Sequence, residues 1–200
     1  QRTMWSINCN ENPGNIVKFS DPNLKQCILN TLPNQQEVLI STAEKIQNVS
    51  CPSFNISSLG GLEHFKSMHS LDLSDNNLTS FSLKLADTSP KDVNLIYINL
   101  KANHLTELNL TAIPSVQFLD VSKNELTGIS INANTFLVTL SAPFNKIKEI
   151  NLAIQSDLVF ADLSNNHLTN VLGEFSENLN NLRQLKFLNL SNNTLKTIGS

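Results

Sequence analysis

The sequence predicts a right-handed solenoid. It is an arc of stacked coils with a concave parallel sheet of about seven strands, a mostly extended or irregular convex side and a short N-terminal capping helix. Three observations predict it. First, an eleven-residue frame, clearest in MHSLDLSDNNL (Met68 to Leu78), puts apolar residues at positions one, four, six and eleven and asparagine at nine. Second, the frame returns as LIYINLKANHL from Leu95, VQFLDVSKNEL from Val116, LVTLSAPFNKI from Leu137, LVFADLSNNHL from Leu158 and LKFLNLSNNTL from Leu185. A looser first copy, IQNVSCPSFNI, starts at Ile46. Third, the ninth positions (Phe54, Asn76, Asn103, Asn124, Asn145, Asn166, Asn193) are separated by steps of 22, 27, 21, 21, 21 and 27. A near-constant period of this length marks a solenoid, because each short unit has an apolar side that only its neighbours can bury.

The chain divides into a lead-in and helical cap over residues 1–45 and a repeat array over 46–200. Residues 1–18 are polar, with Pro13-Gly14 as a turn signal. In FSDPNLKQCILNTLPN, Ser20 or Asp21 suits an N-cap and Pro22 the first helical position. Leu24, Cys27, Ile28 and Leu32 share a helical face, and Pro33 stops the helix. Such a helix covers the apolar end of the first coil. Val38, Leu39 and Ile40 read as a cap strand.

Within each copy, positions three to seven alternate outward and inward, which is strand periodicity. The asparagine turns inward where the chain leaves the strand, and its amide is suited to the main-chain groups of that bend. Beyond it the apolar frame continues, as in Leu105, Leu108, Leu110 and Ile147, Ile150, Leu152. That spacing predicts a second extended segment on the convex side. Gly60-Gly61 reads as a turn between the first two coils. Two coils carry about six extra residues, within 82–94 and 171–184. In the second, Leu172, Phe175, Leu179 and Leu182 have the spacing of a short convex helix. No polar capping coil follows Leu195, so the native protein is expected to continue beyond Ser200.

On this frame the chain resembles the leucine-rich repeat family over about three quarters of its length, from Ile46 to Ile198. It lacks the convex helix pattern of the ribonuclease-inhibitor type, the IPxxL signature of the plant type and the LPxLP signature of bacterial ubiquitin-ligase effectors. It is similar to bacterial secreted and cell-surface repeats of the internalin-like kind. FSDPNLKQC, VSC and ISSLGGLEHF also resemble the cap of secreted bacterial repeat proteins. The resemblance implies a recognition module.

Composition narrows the function. A net charge of −3 gives a nucleic-acid backbone no electrostatic support. No apolar run reaches the roughly 18 residues that span a bilayer. Cys9, Cys27 and Cys51 form no C-x-x-C pair, against a zinc site. They are either buried free thiols or include a disulfide that fastens the cap. Cys27 to Cys51 is the first pairing expected, with Cys9 left over. A disulfide favours an extracytoplasmic setting. His104 and His167 share the tenth position three coils apart, roughly 14 Å, too far to hold one metal. With His64 and His69 they read as surface residues. No Ser/His/Asp constellation and no phosphate-binding glycine loop stands out, so no enzyme, no cofactor and no metal is expected. The six N-x-S/T triplets, at Asn48, Asn55, Asn77, Asn109, Asn189 and Asn192, read as incidental to Asn-rich repeats.

The outward positions of the concave strands remain. At position three, Tyr97, Phe118, Phe160 and Phe187 stand in one row. At position five, Asp72, Asn99, Asp120, Asp162 and Asn189 form a polar row beside it. An apolar stripe with a polar edge points to a concave surface that binds a protein or glycan. The alternative for the aromatics is a ladder that stabilises the sheet. Thr139, Ser141 and Pro143 interrupt the stripe and predict a dip. Asp72, Asp120 and Asp162 never fall on adjacent coils, which argues against calcium. The expected molecule is a monomeric binding module. The alternative is a rigid spacer in a larger surface protein whose activity lies in other domains.

Overall fold

The computed structural model describes residues 15–172 and 182–196, and over them the chain winds into a solenoid. Its strands are β1 (Asn48–Ser50), β2 (Ser70–Asp72), β3 (Ser80–Ser82), β4 (Tyr97–Asn99), β5 (Glu107–Asn109), β6 (Phe118–Asp120), β7 (Thr139–Ser141), β8 (Glu149–Asn151), β9 (Phe160–Asp162), β10 (Asn170–Leu172) and β11 (Phe187–Asn189). Seven of them form one parallel sheet in the order β1-β2-β4-β6-β7-β9-β11. The register never slips: Asn48, Ser70, Tyr97, Phe118, Thr139, Phe160 and Phe187 are successive partners. Every third position of the repeat therefore lies in one row, and so does every fifth.

The core runs the length of the arc. The inward residues Val49, Leu71, Ile98, Leu119, Leu140 and Ala161 are all buried, as are the sixth-position residues Cys51, Leu73, Leu100, Val121, Ala142 and Leu163. No coil encloses a core of its own. Burial of these side chains, at about 25 cal/mol per Å² of apolar surface, exists only because the coils stack.

The repeated asparagines bond the coils to one another. The Asn124 amide donates to its own coil's Val121 carbonyl at 3.0 Å and to the preceding coil's Leu100 carbonyl at 3.0 Å. Its oxygen accepts the Leu105 N–H at 2.9 Å. Asn76, Asn103, Asn145, Asn166 and Asn193 repeat this arrangement. Each satisfies main-chain groups that the bend would otherwise bury unpaired. Just before it, the eighth position is left-handed in every copy: Ser53, Asp75, Ala102, Lys123, Phe144, Asn165 and Asn192 have φ between 53° and 60°. That residue turns the chain out of the strand.

At the N-terminal end, α1 (Pro22–Asn30) buries Leu24, Cys27 and Ile28 over the first coil. Asp21 is its N-cap, accepting from the N–H groups of Asn23 and Leu24 through Oδ1. Its other oxygen accepts from the Ser57 N–H and hydroxyl and the Ser58 N–H, which bolts the cap to the first coil. Cys27 and Cys51 are joined as a disulfide, with their Cα atoms 5.8 Å apart. Cys9 lies outside the described residues. The cap strand expected over Val38–Ile40 is a single antiparallel bridge between Ile16 and Leu39. From Ile40 the chain turns into α2 (Ile40–Ala43), whose Ala43 is buried against the core. Gly60-Gly61 is more than a turn. A side chain on Gly60 would meet the Ser20 hydroxyl at 2.0 Å, and Gly61, at φ 109°, lies against the Phe19 ring. The pair lets the cap seat on the first coil.

The convex side is extended, as expected, but it is not continuous. β3 pairs with β5 and β8 with β10, while the coil between them has no strand at Gly128–Ser130. In the insertion over 82–94, Leu83, Leu85 and Val93 are buried and Pro90–Asp92 forms one 3₁₀ turn. Most of the second insertion, with its expected helix, lies outside the described residues.

Candidate functional site: the concave face

Each third-position aromatic stands outward because residues four and six of its copy are inward. Tyr97 is 40% exposed, Phe118 39% and Phe187 45%, and Phe160 is half-buried. Phe160 and Phe187 stack, with ring centroids 4.6 Å apart and planes 6° from parallel. At its C-terminal end the row is thus the ladder that the sequence left open, and its other aromatics leave an exposed apolar stripe. Thr139 divides it into the pairs Tyr97–Phe118 and Phe160–Phe187. Burial raises the Tyr97 hydroxyl's pKa, the charges of Asp72 and Asp120 add to this, and a hydrogen bond with Asn99 offsets it in part.

The fifth-position row has a structural duty that the sequence did not reveal. Oδ1 of Asp72 accepts the Ser74 N–H at 2.9 Å and the Ser74 hydroxyl at 2.7 Å. Asp162 does the same for Ser164, and Asn189 for Ser191. Asp120 accepts the Ser122 N–H and Asn99 the Lys101 N–H. These are Asx turns that close each strand exit. Each residue thus gives one oxygen to its own coil, and the second oxygen of the three aspartates has no hydrogen-bond partner among the described residues. The copies from Ile46 and Leu137 are the exceptions. Their fifth residues are Ser50 and Ser141, and their seventh, Pro52 and Pro143, have no N–H to give.

Two exposed aromatics were not singled out from the sequence. Phe144, 54% exposed, occupies the left-handed eighth position at the exit of the same copy. Phe136 is exposed at the strand's other end. The signal for Phe144 was present, since no other copy puts an aromatic at position eight. Beyond the exit, Glu125 bonds Lys146 at 2.9 Å and lies 3.8 Å from His104. Lys146 holds the Glu125 carboxyl below its ordinary pKa. His69 bonds Asn94 and the Ser67 carbonyl, and His64 lies beside Glu63. Among the described residues no group of His, Cys, Asp and Glu converges as metal ligands would.

Two cavities of about 470 Å³ lie off this face. One, on the convex side, opens where Gly128–Ser130 interrupts the strands, between Glu107 and Glu149. The other lies between the Pro90–Asn94 segment, Pro114 and the Phe136 ring, at the edge where the concave strands begin.

Among solved structures, the chain is similar to the functional domain of InlJ from Listeria monocytogenes. The TM-score is 0.70 at 20% identity, over 90% of this chain and 43% of that one. YopM from Yersinia enterocolitica matches with a TM-score of 0.60 at 26% identity, over 78% of this chain and 30% of that one. A leucine-rich repeat protein of Leptospira interrogans matches with a TM-score of 0.58 at 23% identity, over 80% and 46%. The chain spans less than half the length of each. No family model and no curated protein sequence matches it. The fold is that of the leucine-rich repeat proteins. In fold it is similar to the InlJ domain, and here that fold has short concave strands and an extended convex side.

Proposed function

We propose that the chain is a non-enzymatic recognition module of a secreted or surface-exposed bacterial protein, and that its concave face binds a protein or glycan ligand. The observation that carries this reading is the row of outward aromatics held in unbroken register, with Tyr97, Phe118 and Phe187 each about two fifths exposed. Aromatics supply contact area at low entropic cost, and the second oxygens of Asp72, Asp120 and Asp162 supply directional contacts. The disulfide at the cap supports an oxidising, extracytoplasmic location.

The test is a binding screen of the labelled chain against arrayed extracellular proteins and glycans. Hits are then compared between the parent, the concave double variant Phe118→Ser/Phe160→Ser and the convex control Ile154→Ser. The double variant is expected to weaken binding by about a hundredfold, two lost aromatic contacts at about 1.5 kcal/mol each, and the control to leave it unchanged. Full binding by a folded double variant would sink the proposal. A second reading, a rigid spacer, is favoured by the asparagine ladder, which ties every coil to the next. It predicts no hit from the isolated chain and an activity that resides in flanking domains.

A further inference from the structure

The copy from Leu137 to Ile147 breaks both outward rows at once, and the break has a shape. In the third row Thr139 lies between Phe118 and Phe160, and in the fifth row Ser141 lies between Asp120 and Asp162. With neighbouring strands about 4.8 Å apart, the two aromatics are rooted about 9.6 Å apart. Phe160 stacks on Phe187 with near-parallel planes, so its opposite face is turned toward the gap above Thr139. A flat group needs about 3.5 Å from each wall, so the gap admits one and not two. The floor is polar: neither the Thr139 nor the Ser141 hydroxyl has a hydrogen-bond partner among the described residues. Phe144 stands beyond Pro143 at the exit of the same copy, on the side where the strands end.

The notch is also negative. Asp120 and Asp162 flank it, and each has given only Oδ1 to its own turn. Lys101 and Lys123 are the nearest cations in sequence register, on positions seven and eight of the two preceding copies. Neither makes an ion pair with an aspartate of the fifth row, among the described residues. Aromatic faces attract cations, and two uncompensated carboxylates add to that attraction. An anionic group is repelled here, and a neutral sugar ring leaves both charges unanswered. A guanidinium is flat, cationic and rich in N–H donors. It stacks on a ring face while pairing with carboxylate oxygens, which an ammonium does less well.

We propose that this notch is the specificity pocket of the concave face and that it receives an arginine side chain of a protein partner. The guanidinium lies against the free face of Phe160, donates to Oδ2 of Asp120 or Asp162, and donates to the hydroxyls of Thr139 and Ser141. The proposal rests on the concave-face reading above and narrows its ligand to a protein that presents arginine.

Two variants isolate the notch without disturbing the scaffold. Thr139→Phe fills it, and the fold has room for an aromatic there because both neighbouring copies carry one. Asp120→Asn/Asp162→Asn removes the charge and keeps the turns, since Asn99 and Asn189 already make the same bond. The probe is acetyl-Gly-Arg-Gly-amide, followed through the amide resonances of Thr139, Ser141 and Phe160 in the isotope-labelled chain. Its lysine, citrulline and glutamate counterparts and methyl glucoside are compared. A saturable shift at these three amides is expected with arginine, a weaker response with lysine, and none with citrulline, glutamate or the glucoside. Either notch variant is expected to weaken the arginine response about tenfold, while Glu107→Gln, on the convex strand β5, leaves it in place. No arginine response at these amides, an equal response to citrulline, or a response to the glucoside instead overturns the proposal. Such a result leaves the wider concave reading standing wherever Phe118→Ser/Phe160→Ser still abolishes binding of a screened ligand. If that double variant binds normally, the wider reading fails as well.

Discussion

At the scale of single residues, the eighth position joins stability to recognition. A left-handed backbone costs an ordinary L-residue about 1–2 kcal/mol, and asparagine and aspartate bear it best. Five of the seven copies place Ser, Asp, Ala or Asn there, and a sixth places Lys123. Phe144 is the residue least suited to φ 57°, and its ring is more than half exposed, so little burial offsets the strain. Such strain is found where a side chain serves something other than stability. Phe144→Asn is therefore expected to raise stability by about 1 kcal/mol in urea unfolding, while weakening any ligand held at the Leu137–Ile147 copy. A loss of stability would mean that the Phe144 ring packs productively and has no recognition role.

At the scale of elements, the cap decides how the array begins. The Cys27–Cys51 bond closes a segment with a sequence separation of 24, for which chain entropy predicts about 3.5 kcal/mol. The Cys27→Ser/Cys51→Ser variant, or reduction of the native chain, is expected to lower unfolding stability by that order, with the loss appearing first in α1. Asp21 adds a pH dependence. Burial acts to raise its pKa, but the bonds from Ser57, Asn23 and Leu24 outweigh it and hold the group below its ordinary value. A depressed folded-state pKa gives stability that is complete above the unfolded value and lost as pH falls through the folded one. Acid unfolding of the cap is thus expected below about pH 4, followed by circular dichroism. In Asp21→Asn the stability at pH 7 drops and this acid-dependent component disappears. An unchanged acid transition in that variant would assign it to another carboxylate.

At the scale of the molecule, stability is carried by links between adjacent coils, because each coil meets only its neighbours. The asparagine ladder makes this measurable. The Val121 carbonyl accepts both the Asn124 amide at 3.0 Å and the Asn145 amide at 2.9 Å. Removing one amide leaves the carbonyl a partner, and removing both leaves it buried and unpaired. The pair Asn124→Ala and Asn145→Ala is expected to cost more than the sum of the single changes by about 1 kcal/mol. Asn76→Ala and Asn166→Ala share no acceptor and lie four coils apart, so they are expected to add within about 0.5 kcal/mol. Denaturant unfolding of the six variants decides between coupling of neighbours and an undivided core.

The sequence by itself determined the solenoid, the seven concave strands, the asparagine ladder, the cap helix and the rows in which Tyr97, Phe118, Phe160 and Phe187 stand. These follow from periods, two within a strand and about 21 between coils, and a period is visible in one dimension. The tertiary structure alone decided how neighbours share their groups. It engaged one oxygen of every fifth-position Asp or Asn in a turn, stacked Phe160 on Phe187, seated Gly60 and Gly61 against Ser20 and Phe19, and broke the convex strands at Gly128. It also turned the free face of Phe160 toward the dip that the sequence predicts at Thr139. Each of these depends on backbone angles or on atoms brought together from different coils, and neither is written in the spacing of residue types.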